Sequence, residues 1–297
     1  MAVVIKTNNA TVDDVFETFK ASTRMTMVDS DIVARHVDRT TLPKNAGTSW
    51  NEPKLSQPDA SAWNEGEPHP EASLTSSNLQ ITPGLSGLKI LITKRHMEMA
   101  NESLGNKIGQ VEGKALGKYK DRNLISLFDS FTASIPGAGS ALTMGNFRAA
   151  RARVRTGNSN GGSQGEPYGG NDYHAILHPY QMHDLLESIG NYSSNNPTNA
   201  EQGVPGELIR KYAIYNIIGV EVEEDANLDE DSSNDTKGAL FAREAIRLVD
   251  FNTPDFDKEY DKDTGTWIFY GDQDFGSGLY SLVWGTELYS DITVPSA

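Results

Sequence analysis

The chain contains no cysteine. Disulfide staples, cysteine-based zinc sites and thiol nucleophiles are therefore excluded together. It has no apolar run near the ~20 residues of a membrane span. Its first twenty residues, MAVVIKTNNATVDDVFETFK, lack a basic stretch leading into an apolar one. No secretory leader is expected, and a cytosolic origin is the default. Positive charge is scarce: 26 Lys+Arg stand against 41 Asp+Glu, a net charge of -15. Tight binding to a phosphate backbone needs clustered cations, so this balance argues against it and favours solubility. Glycine and proline, 27 and 13 of 297 residues, stay near ordinary levels and exclude collagen-like or low-complexity chains. No internal repeat is visible. With 37% apolar residues, a chain of this length has enough material for a real core in one large or two small domains.

The catalytic signatures are missing as well. There is no G-x-S-x-G elbow. The glycine-rich stretch Gly157–Asp172 has no G-K-[ST] ending, so it is no phosphate cradle. His174, His178 and His183 are close in sequence, but Pro179 and a strand-like run break the one-helix geometry that two metal-binding histidines four apart require. Structural roles are expected for them. The acidic loop Asp225–Asp235 lacks the sixth-position glycine and final glutamate of a calcium loop, and Asp261 and Asp263 offer no better site. With 41 acids, carboxylate pairs arise by chance. No catalytic, cofactor-binding or metal-binding residue is assigned, and no enzyme activity is expected.

What is present is organisation. Val12, Val15, Phe16 and Phe19 fall at helical spacing over Thr11–Lys20, with Thr11 as the cap, and Ile32–Val37 is strand-like. Residues 41–83 hold six prolines and two tryptophans, Trp50 and Trp63. Leu79, Ile81, Leu88, Ile90 and Ile92 alternate beyond them, which predicts a long two-stranded arm. Asn101–Phe131 predicts the best helix, with Leu104, Ile108, Val111, Ala115, Tyr119, Ile125 and Phe128 as its apolar stripe and an interruption near Lys120–Asp121. Gly105, Gly109, Gly113 and Gly117 recur along it every fourth residue. Each costs about 1 kcal/mol against alanine in a helix. Either another backbone approaches that ridge or the helix must bend.

Composition shifts at Ser134–Gly139. Met144–Thr156 predicts a helix carrying the one basic cluster, with Arg148, Arg151 and Arg155 on one face and Arg153 aside. This face meets an acidic neighbour or nucleic acid, or is simply solvated. Tyr173–Pro179 predicts a buried strand, and Gln181–Gly190 a helix. Gly206–Tyr215 predicts a helix, Ile217–Glu223 a strand, and Gly238–Phe251 a strand or short helix. Thr266–Val294 alternates as strands after the hairpin turn Asp261–Gly265.

In order and spacing these units resemble the major capsid protein of tailed bacteriophages, the Hong Kong 97-type fold. Five stretches carry the resemblance: the Pro-rich segment around Asn45–Leu79 as the extended loop; Asn101–Phe131 as the spine helix; LTMGNFRAARARVR with YHAILHPYQMHDLL as helix, strand ending in His-Pro, and helix of the axial domain; IIGVEVEEDANL as its next strand; and GALFAREAIRLVD with the terminal strands as the return to the peripheral domain.

The resemblance implies an α+β chain divided as N-terminal arm and first strand (1–40), extended loop (41–83), peripheral domain with spine helix (84–135), axial domain (136–255) and return strands of the peripheral domain (256–297). It implies a structural protein forming hexamers and pentamers of an icosahedral head around double-stranded DNA, without sequence-specific DNA binding, membrane or cofactor. Scaffolding and portal proteins are the implied partners, and the virion, assembled in host cytoplasm, the location. A separate scaffold follows from the short N-terminal segment. Some relatives crosslink a loop lysine to an asparagine; Lys44 and Lys54 lie in that region without a matched partner. Arm and loop are expected over neighbouring copies. Trp50, Lys54, Trp63, Arg148, Arg151 and Arg155 are the expected inter-subunit contacts. The glycine-lined helix is expected to bend in a precursor shell and straighten on expansion, and acidic surface to face the lumen. An encapsulin-type compartment shell, or an acidic hydrolase that forms no shell, are the alternatives.

Overall fold

Alternating apolar residues on either side of a tight turn make the longest element of the fold. In the computed structural model, β11 (Ile246–Asp261) and β12 (Thr266–Leu279) pair antiparallel from Ile246↔Leu279 to Asp261↔Thr266. The turn between them is locally determined. The Asp261 carboxylate accepts from the Asp263 N–H at 2.9 Å and the Thr264 hydroxyl at 2.7 Å, and Gly265 takes a φ of 61°. β4 (Gly84–Thr93) pairs antiparallel with β12, and β1 (Asp38–Thr41) parallel with β11, giving the order β1-β11-β12-β4. The structure describes residues 8–292 apart from 44–46, 57, 59, 67, 70, 72, 74–75, 100–102, 160–161, 164, 166, 168, 171 and 195–215. The helix expected over Gly206–Tyr215 and Lys44 lie outside the described residues.

The second sheet has five strands. Its order is β13 (Gly285–Asp291), β10 (Asp235–Ala242), β7 (Tyr173–Leu177), β9 (Val220–Glu224) and β8 (Asn216–Ile217), with only β7 and β9 parallel. All five residues of β7 are buried, as a central strand covered on both faces requires, and His174 is the polar one among them. Helices α5 (Met144–Thr156) and α6 (Pro179–Ser194) accompany this sheet. Thr143 caps α5 by accepting from the Asn146 N–H, and left-handed Gly157 ends it, just before the short antiparallel pair β5 (Asn158–Ser159) and β6 (Gly162–Ser163). Gln181 ties α6 down. Fully buried, its amide nitrogen reaches Thr236 O (3.2 Å), Leu288 O (2.9 Å) and Ser290 Oγ (2.8 Å), while its oxygen accepts from the His178 N–H.

Two long helices lie together beside the four-stranded sheet. α1 (Asn8–Ser30) extends well past the expected Thr11–Lys20, so Thr11 is interior rather than a cap. Its Phe16 and Phe19 pack on Phe269 and Phe256 from β12 and β11, at centroid distances of 5.0–6.2 Å. Burying two phenyl rings contributes several kcal/mol, at roughly 2–3 kcal/mol each. α4 (Ser103–Ile125) follows a short α3 (Lys94–Met99). It passes Lys120–Asp121 without a break and ends at Ile125, before the expected Phe131. Phe128 begins a 3-10 turn, and its ring stacks on that of Phe131 in the larger core.

Several expectations are corrected. Ile32–Val37 is not a strand: α2 (Ile32–His36) forms there. The reason is tertiary, since the Val33 N–H donates to Asp121 Oδ1 of α4 at 2.9 Å. That bond satisfies a free N–H in the first turn of a helix that opens on two β-branched residues, Ile32 and Val33. Gly238–Phe251 resolves into β10, a 3-10 turn at Arg243–Ala245, and β11. Residues 246–255 thus lie in the four-stranded sheet rather than with 136–245. β13, expected among the return strands, instead joins the five-stranded sheet beside β10. The chain crosses between sheets through buried Trp284, whose carbonyl accepts from the Ala242 N–H.

Candidate functional site

The glycines of α4 have a neighbour, and it is α1. A Cβ built on Gly109 would stand 2.6 Å from Phe19 O, one on Gly113 2.5 Å from Thr23 O, and one on Gly117 2.7 Å from Ser30 Cβ. No real Cβ tolerates such distances, so the ridge exists to let two helix backbones touch. α1 supplies small residues opposite: Ser22, Thr23, Thr26 and Ser30. Ser22 Oγ also donates to Asn106 O at 3.0 Å. Gly105 lies in the first turn of α4. The arm expected over a neighbouring copy is therefore laid, for residues 8–30, on its own chain.

The apolar stripe expected on α4 is rotated. Its buried face is Gly109, Glu112, Gly113, Leu116, Gly117, Lys120, Asp121 and Leu124, whereas Val111 is 65% exposed and Tyr119 about half-exposed. The acidic and basic residues on the inner face are accommodated individually. Lys120 Nζ donates to Asp250 Oδ1 at 2.7 Å, and Asp250 Oδ2 accepts from Arg39 at 2.8 Å. Asp121 Oδ2 accepts from Asn227 Nδ2 at 3.0 Å. Burial, reinforced by the neighbouring Asp225 carboxyl, pushes Asp121 up to about 8. Glu112 sits over Gly271 with no hydrogen bond to either carboxyl oxygen; burial, then the Asp272 charge, pushes it up to about 7.

The loop is a two-stranded ladder at its root. β2 (Trp50–Leu55) pairs antiparallel with β3 (Ser76–Ile81). It has packing partners within its own chain. Trp50 leans on the small cluster of Leu42, Ile81 and Val249. Lys54 Nζ donates to Leu279 O at 2.9 Å and lies over the Tyr280 ring. Arg247 of β11 ion-pairs with Asp38 of β1 and with Glu52 of β2. Trp63 differs. It lies between the ladder strands in sequence, 46% exposed, with its ring stacked on His69 at 4.4 Å.

On α5, Arg148 and Arg155 are exposed, while Arg151 is half-buried beside the β8–β9 turn at Gly219. The acidic loop folds on itself. Asp231 accepts from the Ser233 and Asp235 N–H groups and from the Tyr289 hydroxyl, and these bonds hold its carboxyl below the usual range. The three histidines of 174–183 are not brought together. His183 is exposed beside Asp184, and His178 accepts from the Tyr180 N–H. His174 is buried against His36, with ring centroids 4.5 Å apart. No local pattern could have paired residues so distant in the chain.

Solved structures share this architecture. The capsid structure of cyanophage P-SCSP1u matches with a TM-score of 0.63 at 14% identity, covering 89% of this chain and 89% of that one. The head structure of Helicobacter pylori bacteriophage KHP40 matches with a TM-score of 0.61 at 12% identity, covering 86% and 87%. A virus-like particle from Pyrococcus furiosus matches with a TM-score of 0.56 at 13% identity, covering 92% and 98%. No family model matches the chain, and no curated protein matches it in sequence. The α+β fold is of the Hong Kong 97 capsid type.

Proposed function

We propose that this chain is the major shell protein of a tailed-phage head, assembling into hexamers and pentamers of a closed icosahedral shell around double-stranded DNA. The observation that carries the proposal is the likeness in fold to capsid and head structures, which runs through 86–89% of the chain. It is a structural rather than a catalytic role, with the virion as the location and scaffolding and portal proteins as partners. No helix among the described residues is long and apolar enough to cross a membrane.

The single chain also leaves apolar surface that a second copy would cover. Val111, Ala115 and Tyr119 line the outer face of α4. Leu85, 84% exposed, and Leu91 stand on β4, whose second edge is paired with no strand among the described residues. An open edge with apolar side chains is a pairing hazard in a monomer and a joint in an assembly. Exposed Arg148 and Arg155 give the acidic surface of a neighbour something to meet, and Trp63 presents an aromatic anchor of the kind that dominates interfaces. Trp50, Lys54 and Arg151 then serve mainly to hold these surfaces in place. The net charge of -15 suits a container that must hold DNA without gripping it.

An encapsulin-type compartment is the second reading, favoured by the likeness to the virus-like particle. Negative-stain microscopy and sedimentation of the full chain, alone and co-expressed with a scaffolding protein, test the proposal. Closed particles tens of nanometres across support a shell; uniform monomers in both preparations overturn it. Particles that copurify with a cargo protein instead of packaging DNA favour the compartment.

A further inference from the structure

His36 ends α2, His174 lies in β7 and Glu221 in β9. Three elements distant in sequence thus deliver two imidazoles and one carboxylate to one point. Glu221 Oε2 lies 3.8 Å from His36 Nδ1 and 3.2 Å from His174 Nδ1. All three candidate donor atoms fall within 4.8 Å of one another. A tetrahedral cation with bonds of about 2.0–2.2 Å wants donor separations of roughly 3.3–3.5 Å. The spacing needs only small side-chain adjustment.

The far side of each ring points the same way. His174 Nε2 lies 3.0 Å from Asp172 Oδ1, and His36 Nε2 lies 3.2 Å from Glu223 Oε2. A carboxylate thus stands within ion-pair distance behind each imidazole, placed to orient a histidine ligand once the ring turns to meet it. The two histidine side chains are 6–7% exposed, so water cannot readily serve their nitrogens. Yet His36 Nε2 and both nitrogens of His174 lack a hydrogen bond of proper geometry. A buried ring with two unserved nitrogens is costly unless something else uses them.

We infer that His36, His174 and Glu221 form a site for a divalent transition metal of the Zn²⁺ class, which clips the N-terminal segment to the five-stranded sheet. Imidazole nitrogen with one carboxylate oxygen selects Zn²⁺ over Mg²⁺ or Ca²⁺, which prefer all-oxygen sets. Three protein donors leave the fourth tetrahedral position for water. The site is independent of whether the chain forms a shell.

The test uses the full chain, stripped with chelator and given Zn²⁺ or Co²⁺ alone. The expected result is one Zn²⁺ retained per chain, tetrahedral Co²⁺ ligand-field bands, and a higher melting temperature with metal. His174→Gln and Glu221→Gln abolish retention and bands. Asp172→Asn leaves all three ligands in place and weakens affinity about 10–100-fold, which keeps the test decisive even where a ligand variant misfolds. His183→Gln, at the exposed His183–Asp184–Glu187 group, leaves retention unchanged. Absence of retained metal and of Co²⁺ bands in the unaltered chain overturns the inference. So does retention that survives His36→Gln combined with His174→Gln, or that is lost with His183→Gln.

Discussion

Gly113 of α4 faces the carbonyl oxygen of Thr23 in α1 so closely that a methyl group on the glycine would stand 2.5 Å from it. The obstacle is backbone, which cannot rotate aside. Two helices are therefore held at a separation that only hydrogen permits.

Gly113→Ala sets two effects against each other. Alanine gains about 1 kcal/mol of helix propensity. Overpacking a close contact costs about 1–3 kcal/mol. With a rigid carbonyl as the obstacle, the cost wins, and a net loss of about 1 kcal/mol is expected in denaturant unfolding, with a larger loss for Gly109→Ala combined with Gly113→Ala. If these helices also slide or bend during shell expansion, the double variant stops at the precursor form. Unchanged unfolding and unchanged expansion would remove both claims.

Glu112 makes stability depend on pH. Its folded value is raised from 4.5 to about 7, chiefly by burial. Below pH 4.5 it is protonated folded or unfolded and carries no penalty. As pH rises through about 7 the unfolded chain holds fewer protons than the folded one, so stability falls. The span amounts to about 3 kcal/mol at most. Glu112→Gln is expected to stabilise the chain at pH 8 and to change little at pH 4, measured by urea unfolding at both. An equal effect at the two values would sink this account.

Asp121 anchors two distant segments through the Val33 N–H and the Asn227 amide. Asp121→Ala strands both donors, at about 1–3 kcal/mol each. The expected result is a loss of about 2–6 kcal/mol, with amide exchange at Val33 accelerating beyond the global change. Uniform acceleration across the chain would mean that α2 is not held separately.

The two loop tryptophans should respond differently. Trp50 packs on Leu42, Ile81 and Val249, so Trp50→Ala is expected to cost about 2 kcal/mol of chain stability, below the 3–5 kcal/mol of a fully buried tryptophan. Trp63→Ala is expected to leave unfolding within about 0.5 kcal/mol and to reduce particle yield. Parallel unfolding and sedimentation series on the two variants check this contrast.

Signals that act over a few residues were legible in the sequence. Asp261 and Gly265 announced a hairpin turn that their own side-chain and backbone bonds complete. The boundary at His178-Pro179, where β7 gives way to α6, could be placed from the proline alone. The glycine spacing named close approach as one of two reasons. What stayed hidden depended on distant partners. Glu112, Lys120 and Asp121 look like a solvated face, because nothing nearby shows the Asp250, Asn227 and Gly271 that receive them. Their burial turned the apolar stripe of α4 outward. Ile32–His36 carries β-branched residues, yet Asp121 supplies the bond that lets a helix begin there. β13 alternates as well for one sheet as for the other. His36 and His174 share no motif, and only the folded chain shows them stacked.

Arg247 is bonded at once to Asp38 in the first strand and to Glu52 at the loop's root, while Asp250, three residues on, holds Arg39 and Lys120. Through one guanidinium the loop's root is tied to β1, and through a carboxylate three residues further on β1 is tied to α4, so the loop and the long helix share a single set of charged anchors.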